Sequence, residues 1–244
     1  MPTLKLNLNW VVSYIMDEKK RAVAEKTYLI LAALFMAALV TGNLIFQKFF
    51  TWNPFGWYEF QLSVGIIPYP ITFLVTDIIS EIYGKKRANR VVTAGLFASA
   101  FMLLIIVIST QADATEWSPI SDGQFKSVFG FTFIAVAASL AAYLFAQFLD
   151  VQIFHYWKRV TNGKHLWLRN NASTFTSQFV DTLTVLLLLC SFGVIEWQYF
   201  TALLINGYLF KVIIAALDTP FIYVTVWWMR RYFGLKGHGA ELEF

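Results

Sequence analysis

Residues 172–194 read ASTFTSQFVDTLTVLLLLCSFGV, an apolar run with one acid, Asp181, in its middle. About 20 apolar residues cross the hydrocarbon core of a bilayer, so this run is expected to be a membrane helix. At 1.5 Å per residue, Asp181 lies roughly 15 Å inside it, close to mid-bilayer. Thr174, Ser177, Gln178, Asp181 and Thr184 recur at three- and four-residue spacing and make one polar stripe, while Leu183 and Leu186–Leu189 cover the remaining surface. Such a stripe is expected to face protein or water.

The rest of the chain has the same character. Hydrophobic residues make up 58% of its 244 residues and charged residues only 14%, against roughly 25% charged in a soluble domain. Six stretches are long and apolar enough to span: Tyr28–Phe49, Phe60–Tyr83, Val91–Thr110, Val128–Leu149, Ala172–Val194 and Tyr199–Met229. The expected fold is an all-α membrane protein, a six-helix transmembrane bundle. A leader (1–27) precedes the transmembrane domain (28–229), and a short tail (230–244) follows it. The leader has no basic n-region followed by a small-residue cleavage site, so no cleaved signal is expected. The lone Cys190 lies within a membrane stretch, which leaves no disulfide and no cysteine-based metal site. No cofactor is expected.

Lys and Arg mark the cytoplasmic side. They gather in the leader (Lys19, Lys20, Arg21, Lys26), the second–third connection (Lys85, Lys86, Arg87, Arg90), the fourth–fifth connection (Lys158, Arg159, Lys164, Arg169) and the tail (Arg230, Arg231, Lys236). The alternate connections are acidic, with Lys126 their one basic residue. Both termini are therefore expected in the cytoplasm. The pI near 9.1 reflects this topology and does not point to nucleic acid. Trp52, Trp57, Trp197, Trp227 and Trp228 fall at stretch ends, where interfacial belts lie.

Five ionisable residues interrupt the apolar stretches: Asp77, Glu81, Asp181, Lys211 and Asp218. Each would cost at least about 2.5 kcal/mol at the centre of a lipid-facing helix, so they belong in a bundle interior or wet cavity. Lys211 and Asp218 lie two turns apart on a face shared with Tyr208 and Ala215. Pairing of Lys211 with Asp181 or Asp218 would satisfy a structural role alone. Pro68 and Pro70 flank Tyr69 and remove backbone donors, so the second helix is expected to be interrupted there. A helix from Pro70 to Gly84 is only about 22 Å long, and broken helices of this kind place backbone groups beside substrate in transporters. Phe73, Asp77 and Glu81 share a face of it, and Glu81 has the neighbouring Lys85–Arg87 run as an alternative partner. Asn43 on the first helix and Asn206 on the sixth lie towards the outer leaflet, where interhelical hydrogen bonding is their default role.

The run PITFLVTDIISEIYGKKRA, residues 70–88, closely resembles the hallmark segment of the queuosine precursor transporter family, also called the vitamin uptake transporter family. SQFVDT at 177–182, Lys211 followed by Asp218-Thr219-Pro220, and Asn43 with Lys48 agree with the same pattern. Ser80 stands where the family more often has Asn. The resemblance implies a multi-pass importer of the bacterial inner membrane that carries 7-cyano-7-deazaguanine or 7-aminomethyl-7-deazaguanine. A deazaguanine offers N1–H and an exocyclic amine as donors, O6 and N3 as acceptors, and a flat face. A carboxylate can take both donors, and amides can serve the acceptors. Asp181 with Gln178 is the first candidate for the substrate, followed by Asp77, Asp218 and Lys211. Asn43, Glu81 and Asn206 are further candidates, and Tyr69, Phe73 and Tyr208 are candidates for stacking.

An enzyme is not expected: neither Asp77 nor Asp181 has the Gly-rich setting of an intramembrane aspartyl protease. No phosphate-binding Gly-x-x-x-x-Gly-Lys-Ser/Thr loop occurs either, so the chain cannot hydrolyse ATP by that route. Energy comes from elsewhere, and the alternative is a substrate-capture subunit of an energy-coupling-factor importer. Ala33 and Ala37, one turn apart, would let a helix of a separate energising complex or of a homodimer approach closely; packing within the chain explains them equally well.

Overall fold

The computed structural model describes residues 18–130, 133–193, 195–237 and 239–242. Most of the leader, with its Trp10–Tyr14 segment, lies outside the described residues. The helices are α1 (Glu18–Ile45), α2 (Tyr69–Ile82), α3 (Gly84–Ser109), the one-turn α4 (Asp122–Phe125), α5 (Phe133–Val160), α6 (Leu166–Ser191) and α7 (Phe200–Phe233). A two-stranded antiparallel hairpin, β1 (Phe49–Trp52) and β2 (Phe60–Ser63), joins α1 to α2. Five segments are long and apolar enough to cross a membrane, namely α1, Val64–Ile82, α3, α6 and Trp197–Phe233. α5 adds a further 28 residues at the fourth expected stretch.

The distribution of polarity is inside-out relative to a water-soluble protein. Phe97, Phe101, Leu217, Phe221, Val224 and Trp227 are exposed, whereas Asp77, Glu81, Gln147, Asp150, Arg169 and Asp181 are buried. Only hydrocarbon outside and satisfied polar groups within reconcile the two. This is an all-helical membrane protein.

α2 is the central element, packed against α1, α3, α5 and α7. It begins at Tyr69, beside the interruption expected at Pro68 and Pro70, but the part of the apolar stretch before the break is not helical. Residues 60–63 form β2, with Phe60 and Leu62 buried and Gln61 exposed, and a 3-10 turn (Val64–Ile66) intervenes before the helix begins at Tyr69. Pro68 caps the helix and Pro70 sits in its first turn, where a missing N–H costs nothing. Gly65 is needed here: a Cβ would lie 2.7 Å from the Gly42 carbonyl oxygen and 2.8 Å from the Phe46 Cβ, so only glycine lets the turn meet α1. The hairpin is tied to α7 by the Trp52, Phe60 and Phe210 rings and by the Tyr58 hydroxyl, which donates to Asn206 Oδ1.

At the opposite, basic end the tail does not leave the bundle. Gly234 ends α7 in the left-handed region (φ +73), and the chain turns back. The Leu242 N–H donates to Ile82 O at 2.7 Å, so the tail satisfies the last carbonyl of α2 and buries Leu242 in the core. Gly84, with φ +79, makes room for the Glu241 carboxylate.

Candidate functional site

Two chambers adjoin within the bundle. The upper one, at the hairpin end, has a volume of about 360 Å³ and is lined by Asn43, Gln47, Gln61, Ser63, Asp181, Thr182 and Gly207 among others. The lower one is only about 30 Å³ and is lined by Phe73, Asp77, Asn170, Thr174, Gln178 and Asp218. Ile66, Tyr69 and Lys211 line both and so form the partition.

The partition is built on Asp181. Lys211 Nζ donates to Asp181 Oδ2 at 2.6 Å and to Thr182 Oγ1 at 3.0 Å. The Tyr69 hydroxyl donates to the same Oδ2, and the Lys211 ammonium lies 4.4 Å from the Tyr69 ring centroid. Three helices are thereby joined at mid-bundle: α2 through Tyr69, α6 through Asp181 and α7 through Lys211. Asp181 is 3% exposed, yet its Oδ1 meets no donor among the described residues. A buried carboxylate oxygen of this kind has capacity for a donor brought by a ligand. Gln178 Oε1 and Thr174 Oγ1, both buried at the lower chamber, likewise have no protein partner.

Of the residues singled out from the sequence, Asp181, Lys211 and Tyr69 meet directly, and Gln178, Asp77, Asp218 and Phe73 gather just below them. The Phe73 ring packs 5.4 Å from that of Tyr69. Asn43 lines the upper chamber with its amide donating to Leu39 O. Three residues lie elsewhere. Asn206 is engaged by Tyr58, and Tyr208 packs edge-on to the partly exposed Phe179, 5.4 Å between centroids; neither lines a chamber. Glu81 pairs with Arg169 at 2.7 Å, Arg230 at 3.2 Å and Lys158 at 3.4 Å. The expected pairing with the Lys85–Arg87 run is thus replaced, and Arg87 binds Glu25. Lys158 and Arg169 read as loop charges because they fall where apolar stretches end. Instead they sit in α5 and α6, 6% and 1% exposed.

Asp150 went unnoticed for the same reason. The fourth apolar stretch stops at Leu149, but α5 continues to Val160, so Asp150 lies inside a helix and is fully buried. Its three-residue spacing from Gln147, also fully buried, was the available sign. Asn170 and Thr182 complete the polar lining, and nothing in their local sequence distinguishes them.

Among the described residues no group of three or more His, Cys, Asp or Glu side chains could hold a metal ion. The site is one of carboxylates, amides, hydroxyls and one amine around an aromatic pair, which suits a small polar, flat solute.

A family model described as "Putative vitamin uptake transporter" matches residues 63–225, from β2 to the Pro220 region of α7, and so contains both chambers' central residues. A "Probable queuosine precursor transporter" of Bacillus subtilis (strain 168) is 28% identical over 162 residues, covering 66% of this chain and 70% of that protein. The "Queuosine precursor transporter" of Escherichia coli (strain K12) is 30% identical over 124 residues, 51% of this chain and 53% of its own length. A "Probable queuosine precursor transporter" of Haemophilus influenzae is 27% identical over 125 residues, half its length. No solved structure matches the chain. The family is one of transporters, not enzymes, and this chain belongs to it: it is a multi-pass membrane protein of the vitamin uptake transporter family.

Proposed function

We infer that this protein imports queuosine precursors, 7-cyano-7-deazaguanine or 7-aminomethyl-7-deazaguanine, across the bacterial inner membrane. The observation that carries the reading is Asp181. One of its oxygens is pinned by Tyr69 and Lys211, the other has no protein donor, and both stand at the floor of a chamber of about 360 Å³, within the usual size of small-molecule sites. The N1–H and amine edge of the base addresses Asp181, its face lies against Tyr69, and Gln178 serves an acceptor once the partition opens. With both termini and the basic end in the cytoplasm, as the Lys and Arg distribution supports, the open chamber faces outward and the lower one inward. The names of the relatives support the substrate class.

Uptake of labelled 7-aminomethyl-7-deazaguanine into liposomes holding only this protein tests the reading. Uptake is expected, and its absence would refute a self-sufficient importer. One observation favours the alternative of a capture subunit for an energising complex: Ala33 and Ala37 are exposed on α1, on a face flanked by exposed Ile30 and Leu34. On that reading the purified protein binds the base and does not move it.

A further inference from the structure

The path towards the basic end passes a second pair of acids. Asp77 of α2, 2% exposed, lines the lower chamber, and Asp150 of α5 lies behind it at 0%. Neither takes part in any of the ion pairs among the described residues. Their helices meet beside them, where Thr76 Oγ1 donates to Gln147 Oε1 at 3.4 Å, and the two carboxyls face each other within hydrogen-bonding reach. Two carboxylates can only accept, so this contact needs one proton between them. Ser177 Oγ donates to Asp150 Oδ1 at 2.9 Å, whereas no donor among the described residues reaches Asp77 Oδ1, so the proton is assigned to Asp77. Asp77 Oδ1 and Asp150 Oδ2 meet no protein N–H or O–H, which leaves the shared proton as the donor at hand.

The surroundings keep that proton in place. The charged groups that act on Asp77 from the neighbouring helices are Asp150 of α5, Asp218 of α7 and Arg169 of α6. Arg169 is committed to Glu81, one turn further along α2, at 2.7 Å. The Gln178 amide oxygen and the Thr174 hydroxyl, 2% and 5% exposed, border the same small cavity and meet no partner among the described residues, so both have hydrogen-bonding capacity to spare there.

We propose that Asp77 and Asp150 form a proton-binding site at the inner end of the substrate path, and that its loading and unloading couple substrate movement to a proton gradient. While the basic end is sealed, the pair shares one proton. When the lower chamber opens to water there, the Asp77 O–H bond breaks, the proton passes to water, and hydration separates the two carboxylates. Asp77 touches the chamber and Asp150 at once, so it connects the solute's position with the state of the pair.

The transport arm of the test rests on the proposed substrate; the spectroscopic arm does not. In liposomes, an acid-outside gradient is expected to concentrate 7-aminomethyl-7-deazaguanine in the wild type. In Asp150→Asn the ratio of gradient-driven accumulation to substrate exchange should fall about tenfold or more. Unaltered accumulation by the variant, or accumulation driven by a sodium gradient alone, overturns the proposal. Infrared spectra of the purified full-length protein should show a protonated carboxyl C=O band at neutral pH that shifts in D2O. That band should change frequency in Asp150→Asn, which keeps the side-chain shape, and vanish in Asp77→Asn. A band identical in both variants overturns the proposal, whatever the liposomes show. A wild type that moves no deazaguanine but passes the infrared test refutes the substrate and retains the proton site.

Discussion

The middle and the basic end of the bundle each place a buried carboxylate between helices, and they do opposite things. At mid-bundle, Asp181 meets one cation, Lys211, and keeps an oxygen free of protein donors beside a chamber of about 360 Å³. At the basic end, Glu81 meets Arg169, Lys158 and Arg230, the tail lies across the cluster, and the cavity above it narrows to about 30 Å³, room for water and not for a base. The number of cations around the acid separates a binding element from a seal. One cation leaves the carboxylate with capacity for a ligand; three bind α2, α5, α6 and α7 together. On the proposed reading, transport loosens the second arrangement so that substrate can leave towards that end.

Removing the seal should have the largest effect. Glu81→Ala leaves Arg169 and Lys158, 1% and 6% exposed, without their shared carboxylate. Losing one partner of a buried ion cluster costs about 3–5 kcal/mol. A markedly lower melting temperature in detergent is expected, with Glu81→Gln nearly as severe because shape is kept and charge is not. Wild-type stability in both variants would show that the basic end is closed by packing alone.

Asp181→Asn probes the middle of the bundle. It keeps the side-chain shape but removes the ionic acceptor and leaves Lys211 without its carboxylate, so some stability is lost as well, and affinity for the deazaguanine should drop by about 10- to 100-fold, the value of a hydrogen bond to a charged group. Asn206→Ala is the matched control: that residue faces Tyr58 outside both chambers. Its effect on affinity should stay within about twofold. Titration calorimetry on purified protein measures both. Equal losses would move the site out of the upper chamber and towards the hairpin.

How legible these regions were in the sequence follows from how local their signals are. The Asp181 stripe was readable because a helix repeats its face every three or four residues within one run, and Pro68 and Pro70 placed the start of α2 at Tyr69. The hairpin was hidden, because Phe60–Ser63 opens a longer apolar stretch and its alternation of apolar and polar residues lasts only four positions. The Glu81 cluster was hidden more deeply. Its partners lie 77 and 149 residues away along the chain, at Lys158 and Arg230, and each reads locally as an ordinary charge at a helix end. Asp150 fell just beyond an apolar stretch whose helix runs on for three more turns.

The turn that brings α1 to α2 offers a test intermediate in size. Gly65→Ala places a Cβ 2.7 Å from the backbone oxygen of Gly42, which cannot swing aside as a side chain would. Overpacking of this kind costs about 1–3 kcal/mol. The variant should melt at a lower temperature and bind the base more weakly, since Gly65 and Gly42 both line the upper chamber. Reduced stability with unchanged affinity would mean that the chamber tolerates a wider angle between α1 and α2 than its geometry suggests.

The smallest effect should come from the tail, and it sharpens the comparison most finely. Glu241 accepts from Lys158 Nζ at 2.9 Å, but its side chain is 39% exposed, so the pair should contribute no more than about 1 kcal/mol. Its position matters more than its strength, since it lies over Gly84, beside the Glu81 cluster, at the junction of α2 and α3. Glu241→Gln is therefore expected to leave the melting temperature nearly unchanged while making a cysteine placed at Asn170, in the lower chamber, react faster with a thiol reagent. Cys190 is buried and is the only native cysteine, so the background is low. Unchanged reactivity would show that Lys158, Arg169 and Arg230 hold the basic end shut without the tail.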